Sequence, residues 1–501
     1  MKSSHGNKFV QLVSTILSVL LIAVISGCLA VVPDYVRPDT TVNKDWNTKL
    51  KSDSDKKKTD TNNLAAWWNA LADPKLSSLI ERAEKGNLDL KKAQAKIREA
   101  RARRGVAKAS FFPTLNATGS ANRSRSSENL GSNASIGSNV DIGSGTTSDL
   151  YAAGFDASWE LDIFGGVRRS VESTQANLEA SQEDRRDVLV SLLAEVATNY
   201  IDVRTYQTRL AVAEANLKSQ EETYQLTVWQ SQAGLSDELA VQQACYNLEN
   251  TRSNIPILRT GLEEAMNRIA VLLGEQPGKI HEELTKRERI PVTPLNIAVG
   301  VPADVLRRRP DIRKAERNLA SQTASVGVAV ADLYPKFTLS GTIGLEALST
   351  GNLFSSGSRT YGFGPGITIP LFAGGSICQN IEVQSALQEQ YLIAYETTIL
   401  NALEEVENAL TAYAEEQHHK QTLTDAAAAA KQAAELAKNK YQSGLTAFSD
   451  VLDAERSLLS FEDELAKSEG TVTTNLISLY KALGGGWESA ANSNKIFLNR
   501  K

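Results

Sequence analysis

Between Gly166 and Gly234 the chain holds neither proline nor glycine, and between Gly375 and Gly444 again neither. Proline removes a helical hydrogen bond and clashes with the preceding turn, and glycine weakens a helix through backbone entropy. Runs this long without either predict two very long helices, each about 100 Å at about 1.5 Å per residue. Few globular cores accommodate such lengths. Shorter helical runs flank them: 88–112 and 311–334 before a proline, and 235–273 and 445–483 after Gly234 and Gly444. Pro256 lies in the third of these and should kink it. In each half the two shorter runs together nearly match the long one, so end to end they can lie beside it. That is the arithmetic of a tall cylinder. Leu189, Leu193, Val196, Tyr200 and Val203 recur at steps of three and four, as do Leu387, Tyr391, Ala394, Thr398, Ala402, Val406, Ala409 and Tyr413. Such narrow stripes suit helix-to-helix seams, with polar residues left for water.

The chain is written twice. An offset of 222, which carries Asp89 onto Asp311, aligns LDLKKAQAKIREARARRGVAKASFFPTLNATGS with PDIRKAERNLASQTASVGVAVADLYPKFTLSGT. An offset of 210, which carries Gly234 onto Gly444, aligns QAGLS with QSGLT and ends both halves at LLG and ALG. This is an internal duplication of whole halves rather than a short solenoid period.

Between the helices the period changes to two. In YAAGFDASWELDIF, Tyr151, Ala153, Phe155, Ala157, Trp159, Leu161 and Ile163 alternate with Ala152, Gly154, Asp156, Ser158, Glu160 and Asp162. One face is apolar and the other carries acids. FTLSGTIGL and YGFGPGITIPL repeat the alternation, and TLNATGS does so weakly. Outer-membrane barrel strands have this character, and so does a soluble sheet buried on one side. The segment 116–149, made mostly of Ser, Gly, Asn and Thr, reads as a long exposed loop. Pro365 and Pro370 should lie near the ends of the last strand or at a bulge. A chain offers four strands, whereas the smallest membrane barrels need eight and open edges in lipid leave backbone groups unsatisfied. A membrane barrel would have to be shared among copies.

Composition narrows the function. A formal net charge of −5 over 501 residues gives no support to nucleic-acid binding. Three cysteines, four histidines and two methionines cannot supply a disulfide framework, a repeated zinc pattern or a methionine-lined metal path. No catalytic constellation of His, Ser or Cys is evident, so no enzyme and no cofactor are expected. His418 and His419 are adjacent and point about 100° apart on a helix, which leaves them on a solvated face. Cys245 and Cys378 read as small buried residues.

The N-terminus reads as a targeting segment. Lys2 and Lys8 precede an apolar run from Phe9 to Ile25, a signal peptide by pattern and long enough to be a retained anchor helix. The tetrapeptide ISGC resembles the lipobox of bacterial lipoproteins, which implies cleavage before Cys28 and a covalent lipid on its thiol. Leu29 rather than Asp after it implies sorting to the outer membrane. The reading divides the chain into a signal peptide (1–27), an anchored extended strap (28–66), two structural repeats (67–285 and 286–490) and a tail (491–501).

VVPDYVRP after the cysteine, WWNALADPKLSSLIERA, VPADVLRRRPDIRKAERNLA, and WELDIFGG and PLFAGG before the long helices resemble one family: the TolC-type outer-membrane efflux proteins, lipoprotein branch. The resemblance covers nearly the whole chain. It implies a homotrimer with a 12-stranded outer-membrane β-barrel, four strands per chain, continued by a long periplasmic α-helical barrel. It also implies passive conduction, with a periplasmic adaptor and an inner-membrane pump of the resistance-nodulation-division type docking at the tip. The tip lies where each long helix turns, at Gly234 and Gly444. RRRPD is the most basic patch and reads as a structural helix start rather than a phosphate site.

Asp450 and Asp453 stand three apart on one helical face just after Gly444. Acids at a helix start also simply favour the dipole. The resemblance implies that these two line a closed periplasmic aperture, where three copies would set two rings of six acids. It places Tyr441 where the inner hairpin is tied to its neighbour, and puts Thr446 where some members carry an arginine. The first repeat has Ala240 and Gln243 at the equivalent places. Other readings are an exit duct for secreted proteins and a periplasmic coiled-coil adaptor, which would lack the duplicated amphipathic strands.

Overall fold

The computed structural model describes residues 34–39, 42–43, 45–48, 64–125, 127, 147–291 and 302–487. Cys28, the expected signal peptide, most of the strap and the tail lie outside them. The elements run α1 (Pro74–Gly86), α2 (Leu88–Ala109), β1 (Thr114–Arg125), β2 (Thr147–Leu161), α3 (Gly166–Gln232), α4 (Glu238–Leu273) and a single turn α5 (His281–Leu284). Then follow α6 (Pro302–Arg308), α7 (Pro310–Ala331), β3 (Lys336–Ala347), β4 (Arg359–Thr368), α8 (Ser376–Gln442) and α9 (Phe448–Ala482). The two long helices, α3 and α8, have 67 residues each, as the glycine and proline spacing requires. Pro256 lies inside α4 without ending it. Helices α2 and α7 stop at Ala109 and Ala331, short of the expected ends at Phe112 and Tyr334. Both of those residues precede a proline, which disfavours helical backbone, and the last residues close tight turns instead.

The chain divides into two compact units that cut across the repeats. The first comprises Met1–Arg37, Arg98–Glu179 and Arg317–Ile393. Its centre is one antiparallel sheet in the order β1-β2-β3-β4. The two hairpins pair through β2 and β3, with Phe155 opposite Ile343 and Trp159 opposite Leu339. The composition of WELDIFGG has its reason here. The Asp162 carboxylate accepts from the N–H groups of Val167 and Arg168, both at 2.9 Å, and so caps α3. Phe164 stacks on Tyr334 with ring centroids 4.9 Å apart. Gly165 turns the chain at φ 85°.

Two expectations fail in the sheet. The loop expected over 116–149 is narrower, because β1 continues to Arg125 and β2 already begins at Thr147. Asn116, Thr118, Ser120 and Asn122 are polar because they fill alternate positions of a strand, each paired one to one with β2. Pro365 sits inside β4 opposite Leu339, neither at an end nor at a bulge. An edge strand tolerates it because one side of its backbone has no partner within the chain. Pro370 lies past the strand end.

The second unit comprises Pro38–Ile97, Ala180–Glu316 and Ala394–Lys501. Its largest core joins both repeats: Trp67, Leu79, Leu193, Ile201, Ile269, Leu273, Ile477 and Leu479 are all at most 2% exposed. Trp67 stacks on Tyr480 with centroids 5.4 Å apart. Burying a side chain of this size stabilises by about 1.5–3 kcal/mol. The expected stripe on α3 is buried throughout, from Leu189 to Val203. On α8 it holds only from Ala402 to Tyr413. Tyr391 and Ala394 face solvent, and Tyr395 and Ile399 take their place against Ile312. The two registers differ by one residue, and the partner helix selects between them.

The duplication is visible in a single contact. Asn87 donates from Nδ2 to the Leu272 carbonyl at 2.9 Å. The offsets of 222 and 210 carry these residues onto Arg309 and Ala482, and there Arg309 donates from Nη1 to the Ala482 carbonyl at 3.0 Å. Arg309 is 8% exposed and also binds Asp311 at 2.6 Å and Glu405 at 2.6 Å. Burial works against its charge, yet the bonds to Asp311 and Glu405 hold the guanidinium above its ordinary pKa. RRRPD is thus a structural helix start. In the first repeat, Gly274 adopts φ 73°, and a Cβ there would overlap the Gly86 carbonyl. Gly274→Ala should lower stability by about 2 kcal/mol or more, read from the urea midpoint, because left-handed strain and overlap add.

Candidate functional site

Both long helices end in the same device. Gly234 (φ 73°) donates to the Ser231 carbonyl at 2.9 Å and Leu235 to Gln230 at 2.8 Å. Gly444 (φ 72°) donates to Tyr441 at 3.0 Å and Leu445 to Lys440 at 2.9 Å. This paired bonding closes a helix through a residue in the left-handed region, which glycine adopts at no steric cost. The leucine after the glycine commonly packs back onto its helix. Here Leu235 and Leu445 are 79% and 77% exposed.

Beyond the second turn, Val451 and Leu452 are buried, and Asp450 and Asp453 share the opposite, exposed face of α9. The Thr446 hydroxyl donates to the Asp450 carboxylate. Thr446 therefore addresses its own helix start. Tyr441 is buried, with its ring 5.2 Å from Phe448, and its hydroxyl lies 3.5 Å from Ser236 in the first turn. Ala240 and Ala244 of α4 pack in the same cluster. The acids on α9 thus have no counterpart on α4, as the sequence indicates.

A buried polar seam escapes sequence reading. Asn216, Gln220, Thr223 and Thr227 lie at steps of four, three and four on α3, all under 9% exposed. Thr223 donates to Glu455 of α9 at 2.8 Å, and Asn216 donates to Glu462 at 2.8 Å. The stripe has helical spacing but no apolar residue, so a search for apolar periodicity passes over it. Burial pushes the Glu455 carboxyl up from its ordinary pKa, although its bond with Thr223 and the charge of Lys438 pull the other way. A carboxyl raised on folding contributes stability below its unfolded pKa and loses it as pH rises through the folded value. Glu455→Gln should therefore remove the acid-side gain, so that the protection factors of amides in α9 near Glu455, corrected for intrinsic exchange, no longer rise as the pH is lowered.

Elsewhere the polar groups are structural. His418 and His419 are exposed, and His419 lies 3.3 Å from Glu416. Among the described residues no cluster of His, Cys, Asp or Glu could hold a metal ion. Cys245 is half-buried and Cys378 is exposed, which corrects the expectation that both are buried. Cys378 lies in the first turn of α8, where the turn leaves its side chain outward.

Two long helices from duplicated halves, two glycine turns and one four-stranded amphipathic sheet match a known pattern. The family model described as "Outer membrane efflux protein" covers residues 79–275 and 301–485. The chain belongs to this family. Nodulation protein T of Rhizobium leguminosarum bv. trifolii is 31% identical over 487 residues, covering 97% of this chain and 99% of the relative. The probable outer membrane lipoprotein SilC of Salmonella typhimurium is 30% identical over 475 residues, covering 94% and 98%. Among solved structures, the outer-membrane channel OprN superposes with a TM-score of 0.83 at 36% identity, covering 92% of this chain and all of that one. The efflux protein is therefore an outer-membrane component of an efflux system, of mixed helical and β structure, and its solved neighbour is a channel. The family resemblance read from its motifs is borne out.

Proposed function

We propose that the efflux protein is a homotrimeric passive exit duct for small molecules, delivered by an inner-membrane pump through a periplasmic adaptor. One observation carries the oligomer: β1 and β4 are open edges of a sheet with one apolar face. In lipid, such edges must pair. Pairing β4 of one copy with β1 of the next closes a barrel, and three copies make it 12-stranded, the number the resemblance implies. The helices continue it as a periplasmic helical barrel.

Asp450 and Asp453 then form carboxylate rings at the periplasmic aperture, and the Tyr441 contact with Ser236 ties the second turn to the first. The exposed Leu235 and Leu445 supply apolar contact for the adaptor. Cys28, outside the described residues, carries the lipid that anchors the strap, and the name of the lipoprotein relative supports this. No cofactor takes part, and no nucleic acid.

Heat-modifiable migration of the full-length protein tests the oligomer. An unheated band at trimer mass in the outer-membrane fraction, collapsing to monomer on boiling, is expected. A monomer in the inner membrane would overturn the reading. A deletion strain should accumulate the exported compounds and lose the excess on complementation.

A further inference from the structure

The strand register sorts every strand residue onto one of two faces. One face carries Leu115, Phe155, Trp159, Ile343, Tyr361 and Phe363, and the other is polar and includes Asp156, Glu160 and Glu346. The apolar face holds only four charged residues among the described strands: Arg123, Arg125, Asp149 and Arg359. All four lie at the end of the sheet where the hairpins turn. Arg123 approaches Asp149 at 3.4 Å, and the set keeps an excess of two positive charges. From Arg359 to Ile367 the strand runs about 26 Å at about 3.3 Å per residue, which at a barrel tilt of about 40° covers about 20 Å of an apolar membrane band about 25 Å tall. Arginine thus stands at headgroup level at one edge of that band only.

An open groove of about 630 Å³ runs along the same face. Phe155, Ile343, Leu345 and Tyr361 line it together with the small residues Ala117 and Ala153, and Arg359 lines it one rung nearer the hairpin end than Tyr361. An apolar channel ending at a guanidinium has the chemistry of an acyl chain attached to a phosphate. Arginine binds phosphate through two parallel charge-assisted hydrogen bonds, and an apolar groove takes up methylenes at about 0.8 kcal/mol each.

We infer that this groove binds a phosphorylated, multiply acylated glycolipid of the outer leaflet, with one acyl chain between Phe155 and Tyr361 and a phosphate on Arg359. The inference rests on the reading of the sheet as part of an outer-membrane barrel with its helices on the periplasmic side. That reading puts the hairpin end, and its arginines, in the outer leaflet. Arg123 and Arg125 stand on β1 and Arg359 on β4, the two edges that a closed barrel brings together, so neighbouring copies would share one phosphate site.

The test uses the full-length protein in phosphatidylethanolamine nanodiscs containing diphosphoryl lipid A, its dephosphorylated counterpart or phosphatidylglycerol. Native mass spectrometry counts retained lipid, and the temperature of trimer dissociation reports stabilisation. Diphosphoryl lipid A should be retained and should raise that temperature, and the other two lipids should do neither. Arg359→Gln should weaken retention about tenfold, the size of one lost charge-assisted hydrogen bond. Arg359→Lys should restore most of it, and Ala153→Leu, which fills the groove without altering charge, should weaken it as well. Equal retention by wild type and Arg359→Gln, or of the dephosphorylated lipid, overturns the site. Equal retention of phosphatidylglycerol overturns the assignment to a glycolipid. A wild-type protein that forms no trimer in the discs would instead take down the channel reading, and this inference with it.

Discussion

In the proposed trimer, Asp450→Ala with Asp453→Ala should raise single-channel conductance several-fold in planar bilayers and abolish divalent-cation block. Both carboxylates stand exposed on one face of α9, past a turn whose other side is packed by Tyr441, Phe448, Val451 and Leu452. In the proposed trimer, six acids would surround one aperture. Each would attract a divalent ion about 10 Å away by roughly 1–2 kcal/mol at an intermediate dielectric, before screening. Removing all six should weaken block by at least about tenfold. Asp425→Asn, an exposed change far along α8, serves as the control and should leave both properties alone. Unchanged conductance together with unchanged block would sink the gate.

The largest loss of stability is expected from Arg309→Ala. The side chain is buried and binds Asp311, Glu405 and the Ala482 carbonyl. Its removal leaves the half-buried Asp311 carboxylate with only the Ile312 N–H as a donor, and the helix-end carbonyl of Ala482 without its guanidinium. Breaking a buried pair this way costs about 3–5 kcal/mol, and the lower end applies because Glu405 is half exposed and can rehydrate. Arg309→Lys should recover only part, since an ammonium cannot reproduce the forked contacts to Asp311. Arg307→Ala, at an exposed position two residues earlier, should change stability by less than about 0.5 kcal/mol. Urea midpoints of the three variants decide the matter, and equal effects at 307 and 309 would refute the buried role.

The contrast within RRRPD shows what a sequence can and cannot convey. Three adjacent arginines look alike in one dimension, and their separation into exposed and buried members depends on which helix end lies opposite. Pro365 reads as a strand breaker until the sheet order places β4 at an edge. The polar stripe from Asn216 to Thr227 has the spacing of a seam without its apolarity, so only the neighbouring Glu455 and Glu462 reveal it. On α8, a stripe through Tyr391 and one through Tyr395 are equally periodic, and the packing of Ile312 selects the second.

The chain's own residues determine the lengths of the helices, the glycine turns at 234 and 444, the two faces of the strands and the duplication. All of these follow from local backbone freedom and from the spacing of apolar side chains, which operate within a few residues. Tertiary structure alone decides that the two hairpins share a sheet, that Arg309 takes the place of Asn87, which register of α8 is buried, and that a carboxyl at Glu455 lies in a seam. Each depends on a partner from a distant part of the chain, and long-range partners leave no periodic mark on the segment they choose.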